Sequence, residues 1–158
     1  MRTLNIGTEK ASIKIKQYCA YQERCHQETS EKLYGYGLYP QEVSMLLAML
    51  IEENYLNEER FAIAYAGGKF RINNWGKNKI KLALRQKQVS DYCIKKGLAS
   101  IDENNYFNTL KKLADAKWAL LKKEKNIFVR KHKLQQYLLQ KGYESSFIMD
   151  VTSIVSSS

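Results

Sequence analysis

Leu84-Arg85-Gln86-Lys87-Gln88-Val89-Ser90-Asp91-Tyr92-Cys93-Ile94 is the stretch on which the fold turns. It carries an apolar anchor at Leu84, a polar turn, an apolar plug at Val89 and a second anchor at Ile94. The same spacing recurs at Leu33, Leu38 and Val43 and at Leu138, Tyr143 and Ile148, with offsets of 51 and 54 residues. The physical plan is common to all three. One helix ends in a turn, the residue after the turn plugs the joint, and the next helix supplies an anchor. A further helix precedes each block, at approximately 9–20, 57–73 and 103–123. Three helices in some 50 residues bury too little surface to stand alone, so adjacent units should stack. The expected fold is all-α: three tandem three-helix repeats, 9–56, 57–102 and 103–155, in an elongated, curved array.

On either side of that stretch the apolar periodicity is helical and no convincing strand alternation appears. Asn57 ahead of Glu58 and Glu59 reads as an N-cap followed by acids that suit the positive end of the helix dipole. Phe61, Tyr65, Gly68 and Ile72 then share one face. A helix from Gly76 turns Ile80, Ala83, Leu84 and Lys87 inward, and Ser90-Asp91 caps the next, with Ile94, Leu98 and Ile101 inside. Asp102 and Glu103 open a longer one with Phe107, Leu110, Ala114, Trp118 and Leu121 at helical spacing. Leu134, Tyr137 and Leu138 precede a stop near Gly142. Phe147, Ile148, Val151 and Val155 mark the last helix, with fraying expected over Ser156-Ser157-Ser158.

Composition supports a globular chain: 44% hydrophobic and 27% charged residues, eleven Tyr, five Phe and two Trp to fill a core, and a single Pro. The longest apolar run, Met45 to Ile51, is too short for a bilayer span. No apolar signal region follows Met1-Arg2-Thr3-Leu4-Asn5, so a cytoplasmic protein is expected. Cys19, Cys25 and Cys93 form no CxxC pair, and Cys25-His26 has no second cluster to complete a metal site. Buried free thiols, suited to a reducing compartment, are the expectation, with no metal and no cofactor.

Charge is unevenly placed. Residues 1–68 carry seven Lys/Arg against nine Glu, a net −2, whereas residues 69–158 carry nineteen against seven acids, a net +12. A basic half of that size points to a polyanionic partner, through attraction and counterion release. Lys69, Arg71, Lys77, Lys79, Lys81, Arg85 and Lys87 cluster within nineteen positions. Of these, Lys77, Lys81 and Arg85 recur at i, i+4 and i+8 as one helical stripe with no interleaved acid. A second group holds Lys111, Lys112, Lys117, Lys122, Lys123, Lys125, Arg130, Lys131 and Lys133, around a helix junction near 122–133. Trp75, at a helix connection beside these cations, reads as a plug sealing the joint more than as a base-stacking platform. Phe61 is a core residue, and Arg60 is expected to pair with an acid close to it in sequence.

The central block carries a recognisable pattern. Tyr55-Leu56-Asn57-Glu58-Glu59-Arg60-Phe61-Ala62 is followed by a basic stretch and by Gly76-Lys77-Asn78-Lys79-Ile80-Lys81-Leu82-Ala83-Leu84-Arg85-Gln86-Lys87-Gln88-Val89. This resembles the RecX family signature Tyr-(Leu/Ile)-(Asn/Asp)-(Asp/Glu)-x-Arg-(Phe/Tyr)-Ala, then Gly-x-x-(Arg/Lys)-(Ile/Leu)-x-x-x-Leu-x-x-Lys-Gly-(Ile/Val). The likeness runs from about residue 10 to residue 155 and is strongest in the middle unit. Gln88 departs from the pattern by standing where Gly is usual, and Gly35 and Gly37 loosen the corresponding helix of the first unit. The resemblance implies three repeats of a three-helix motif, in agreement with the repeat found from spacing. It also implies a regulator that binds RecA and the RecA–ssDNA filament and restrains strand exchange and ATP hydrolysis, in DNA repair, recombination and the SOS response. On that reading both basic groups face DNA phosphates or acidic RecA patches, and the chain works as a monomer.

Catalysis finds no footing in the sequence. His26 and His132 lie apart from any nucleophile, and Gly67-Gly68 lacks the Lys-Ser/Thr ending of a phosphate loop. The alternative class is a stand-alone helical nucleic-acid-binding protein, since three-helix units resemble helix-turn-helix readers. Lysines position a protein on phosphate but specify little, which favours the regulator. Replacing Lys77, Lys81 and Arg85 together by Glu should abolish regulation of a RecA filament and leave the helical circular-dichroism spectrum unchanged. Full inhibition by the folded triple variant would mark the stripe as a merely solvated face.

Overall fold

Four of the helix N-termini form where a short polar side chain meets unpaired backbone N–H groups. Asn57 Oδ1 accepts from the Arg60 N–H (2.8 Å), Ser90 Oγ from Cys93 (3.3 Å) and Asp102 Oδ2 from Asn105 (2.9 Å). Asn126 Oδ1 accepts from both Phe128 and Val129. Each such cap stabilises its helix by about 1 kcal/mol. The computed structural model describes residues 4–157, so the expectations placed on Met1-Arg2-Thr3 and on Ser158 lie outside the described residues. Within them the chain forms nine helices and no strand. They are α1 (Thr8–Tyr21), α2 (His26–Gly35), α3 (Pro40–Glu52), α4 (Glu58–Asn73) and α5 (Lys77–Gln86), then α6 (Asp91–Ala99), α7 (Glu103–Leu120), α8 (Ile127–Lys141) and α9 (Ser145–Ser156). The fold is all-α, three tandem three-helix modules, as the spacing predicted.

The second helix of each module stops in the same way. Gly37, Gln88 and Gly142 take left-handed backbone, with φ of 83°, 64° and 101°. After α5, the Gln88 N–H donates to the Arg85 carbonyl (3.0 Å) and the Val89 N–H reaches back to Leu84 (3.1 Å). After α8, Gly142 and Tyr143 donate to Leu139 and Leu138 in the same pattern (3.0 and 3.2 Å). This is the Schellman ending, which satisfies two orphan carbonyls and drops the following residue onto the helix it has left. All nine repeat positions are buried, none more than 6% exposed.

By contacts the chain groups into two compact units, and α4 and α5 contribute to both. One comprises the residues up to Ala64 together with Leu84–Gly97. One cluster in it packs α1, α2 and α3 around Ala11, Ile15, Leu33, Val43 and Leu50, closed by Leu56. Cys19, Cys25 and Cys93 are free and buried, and burial pushes the Cys19 and Cys25 thiols up from their ordinary range. The other unit comprises Tyr65–Ala83 and the residues from Leu98 onward, with α7, α8 and α9 packed on one another. There the turn between α4 and α5 lies backbone to backbone against the end of α8. The Gly76 N–H donates to Lys141 (2.7 Å) and Asn78 to the Gly142 carbonyl (2.8 Å). A Cβ on Gly76 would overlap the backbone of Gly142, so only glycine permits this approach.

Several expected faces shift. On α4 the buried side chains are Phe61, Ala62, Ala66 and Phe70, while Ile72 is 81% exposed. The helix presents its small alanines, and Phe70 instead of Ile72 reaches the aromatic cluster, with its ring 5.6 Å from that of Tyr106. On α7 the buried aromatic is Tyr106 and not its neighbour Phe107, which is half-buried. Tyr106 has partners for its hydroxyl, and its ring also meets Tyr143 at 5.2 Å. Helix α7 ends at Leu120, short of the expected 123, because the Leu121 N–H closes the last turn on Lys117 and Trp118. Helix α9 includes Ser156, the first of the three serines expected to fray, and the Ser157 hydroxyl beyond it donates to the Ser153 carbonyl (2.9 Å).

Gln88 holds a conformation that costs a residue with a Cβ about 1–2 kcal/mol. Gln88→Gly should therefore raise the urea midpoint, by about 0.5–1 kcal/mol once the greater freedom of unfolded glycine is subtracted. Gly76→Ala should lower stability by about 1–3 kcal/mol through backbone overlap. An unchanged midpoint in both variants would show that neither turn constrains the fold.

Candidate functional site

The first basic group is arranged by aromatic side chains. Trp75 follows Asn74, whose left-handed φ of 58° ends α4, and the Trp75 N–H donates back to Lys69 (3.2 Å). This ending leaves the indole half-buried. Lys69 Nζ lies 4.9 Å and Lys79 Nζ 4.7 Å from its centroid, so one ring gathers two ammonium groups from two helices. Lys69 also stands 5.5 Å from the Tyr65 ring. The indole is therefore neither fully a core plug nor a bare stacking platform, since cations already occupy it.

Lys77 sits over another ring, with Nζ 4.9 Å from the Tyr106 centroid. The Tyr106 hydroxyl accepts from the Lys77 backbone N–H (2.9 Å) and donates to the Glu144 carboxylate. Burial, then the bond to Glu144, pushes the Tyr106 hydroxyl far above its usual range, and burial does the same for Tyr143. Both stay neutral donors at any physiological pH, and Tyr143 donates to the Asn74 carbonyl (3.0 Å).

The remaining members are spread. Lys81 and Lys87 are half-buried on and just after α5, and Lys87 has interactions of its own. Arg85 Nε stands 3.7 Å from Asp91 at the start of α6, so the stripe is not free of acid as its own helix suggested. Both groups are more than half exposed, and such a pair adds little stability. Arg71 lies apart, lining a cleft of about 320 Å³ with Asn74, Asn105, Asn108, Thr109 and Lys112 over Phe70. Sequence reasoning misses this cleft, because its asparagines carry no signal until α7 lies beside the end of α4.

The second basic group divides by role. Lys122, Lys123 and Lys125 lie in the loop between α7 and α8, with Lys122 and Lys123 exposed along with Lys125. Arg130 is a clamp: its guanidinium lies 3.8 Å from the Trp118 centroid and Nη2 donates to the Trp118 carbonyl (2.6 Å). Lys133 pairs with Glu124 (3.0 Å), and that bond holds the Glu124 carboxyl below its usual range. Lys111 pairs with Asp115, Lys117 covers the Tyr137 ring, and Lys131 is half-buried on α8. Leu120 and Phe128, each 78% exposed, flank the lysine loop, and no sequence signal marks them out.

Arg60 is corrected. Its Nε donates to both carboxylate oxygens of Glu23 (2.6 and 2.7 Å), 37 residues away, and not to a near neighbour. Its other nitrogens reach the Asn54 carbonyl and Oδ1 (3.0 and 3.2 Å). The signature arginine is thus a tie between the start of α4 and the loop after α1. No group of His, Cys, Asp and Glu among the described residues is placed to hold a metal ion. No helix among them is long and apolar enough to cross a membrane.

These features define a basic all-α protein of tandem three-helix modules. Family models match its second and third modules, as "RecX, second three-helix domain" over residues 57–98 and "RecX, third three-helix domain" over 104–152. The chain belongs to the RecX family. It is 35% identical over 122 residues to the Regulatory protein RecX of Clostridium perfringens, covering 77% of this chain and 57% of that one. The chain thus spans little more than half the length of the curated relatives it matches. The crystal structure of RecX from Lactobacillus salivarius superposes with a TM-score of 0.85 at 22% identity, covering 96% of this chain and 97% of that one. A second crystal structure, of a regulatory protein RecX, gives 0.82 at 23% identity, covering 96% and 72%. At such identity these structures speak for the fold.

Tyr106→Phe leaves the Lys77 N–H and the Glu144 carboxylate short of a partner and should cost about 1–3 kcal/mol. The raised hydroxyl also sets the sign of an alkaline effect. Stability tied to the neutral phenol is fully present below about pH 10, the unfolded value, and is lost as pH climbs beyond it. Urea midpoints measured from neutral to alkaline pH should fall more steeply for the parent chain than for the Phe variant. Parallel curves would separate Tyr106 from the alkaline loss.

Proposed function

We propose that this chain binds RecA and the RecA filament on single-stranded DNA and modulates it, chiefly by inhibition, acting by contact and not by catalysis. The observation that carries the reading is membership of the RecX family, supported by curated relatives named as regulatory proteins. The role belongs to DNA repair, recombination and the SOS response, in the cytoplasm, with the chain acting as a monomer. The three units 9–56, 57–102 and 103–155 are proposed as its working modules.

The residues supply a physical route. A filament on single-stranded DNA is a long anionic polymer, and the chain beyond residue 68 carries a net +12. Lys69, Lys77 and Lys79 are held on aromatic rings, so they lose less freedom on meeting an anion than lysines on open surface. Weak contacts from several modules add through effective concentration. The first module, which lies in the stretch up to residue 68 that is net −2, contributes packing and contacts to RecA protein.

RecA ATP hydrolysis and strand exchange on single-stranded DNA, with and without the chain, test this directly. Both are expected to fall as the chain is added. Affinity for the filament should drop steeply with rising salt, in proportion to the phosphates neutralised. Unchanged hydrolysis and exchange at saturating protein would refute the regulatory reading, and salt-independent binding would refute the ionic one.

A further inference from the structure

A cleft opens between the end of α4 and the first turns of α7. Asn105, Asn108, Thr109 and Lys112 follow one another at i, i+3, i+4 and i+7 and so share a face of α7. Across from them stand Arg71 and Asn74, and the ring of Phe70, 7% exposed, forms the floor. The volume, about 320 Å³, is at the lower end of the range for small-ligand sites. No carboxylate lines it. Among the described residues the side chains of Asn74, Asn105, Asn108 and Thr109 make no hydrogen bond or ion pair. Arg71 is set by a glycine: its Nη1 lies 2.6 Å from where a Cβ on Gly67 would stand, so the guanidinium lies along its own helix over that gap.

We propose that this cleft binds one nucleotide, Arg71 and Lys112 taking the phosphate and Asn105 and Asn108 the edge of the base. A guanidinium fork beside an ammonium matches phosphate oxygens. Phosphate alone offers only acceptors, whereas an asparagine amide presents a donor and an acceptor together. That pair is what a base edge, adenine above all, answers. An acidic peptide would satisfy the two cations and leave the amide acceptors facing carboxylates. The inference rests on the reading that the chain works on single-stranded DNA, and it names where a nucleotide, in a strand or free, is held.

The test is titration of the full chain with fluorescent oligodeoxyadenylate and oligothymidylate across a salt series. Deoxyadenosine monophosphate, inorganic phosphate and polyglutamate serve as competitors. Arg71→Gln should weaken oligonucleotide binding about tenfold and reduce the salt slope by about one. Gly67→Ala, which displaces the guanidinium without removing its charge, should weaken binding in the same direction. The Asn105→Ala, Asn108→Ala double variant should keep the salt slope and lose any preference between the two oligomers. Competition by the mononucleotide supports a site for the nucleotide itself, and competition by oligomers alone supports a nucleotide held within a strand. Unchanged affinity in variants with intact helical spectra overturns the proposal, as does polyglutamate competing as well as an oligonucleotide. RecA ATP hydrolysis is followed in parallel. Binding lost in the variants while the parent chain leaves RecA unaffected supports the cleft and overturns only the filament reading. Binding unchanged in the variants while the parent chain regulates RecA overturns the cleft alone.

Discussion

A helix that stops in left-handed backbone is unfavourable for any residue with a Cβ, and the second helix of every module stops that way, twice on glycine and once on Gln88. The burial it permits is the reason. The next residue, Leu38, Val89 or Tyr143, is thrown back onto the helix just ended and is buried there. With that plug in place the third helix starts at a fixed angle, and its anchor, Val43, Ile94 or Ile148, meets the same core. Without the left-handed residue the plug would point into solvent and the third helix would have no fixed start. At the first and third stops glycine takes the position freely, whereas at the middle one Gln88 bears the strain.

The middle stretch, from Trp75 through α5, is where structure and charge meet. Gly76 lets the chain pass so close to the end of α8 that backbone bonds backbone, and this fixes Lys77 and Lys79 at the start of α5. Their ammonium groups then find ready-made rings, Tyr106 and Trp75. Cations held in this way stay half-exposed but are no longer free to wander. The same packing that joins α5 to α7 and α8 thereby orders these charges. Arg130 and Arg60 show the opposite use of a basic side chain, committed to Trp118 and to Glu23 to close the structure.

Legibility varies with the distance over which each interaction acts. Caps at Asn57, Ser90 and Asp102 are readable because a cap joins residues three apart and needs no tertiary context. The choice between Tyr106 and Phe107 is not readable. Adjacent aromatics fit an amphipathic pattern almost equally well, and only the arrival of Phe70, Tyr143 and Glu144 selects Tyr106. Arg60 points to a near neighbour in the sequence for the same reason, since Glu23 comes beside it only after α1 has folded back.

The order of residues alone makes the chain helical, groups its helices in threes and names the nine residues that anchor the repeat. Those features come from spacing along one chain, which local geometry converts directly into faces and turns. Order alone also places the positive charge beyond residue 68. Which cations are held in place and which are consumed is settled by packing in three dimensions. Packing alone gathers Arg71, Lys112 and the asparagines of α7 around one cleft. A charge has no direction in a sequence. It acquires one when packing places a ring, a carboxylate or open space beside it.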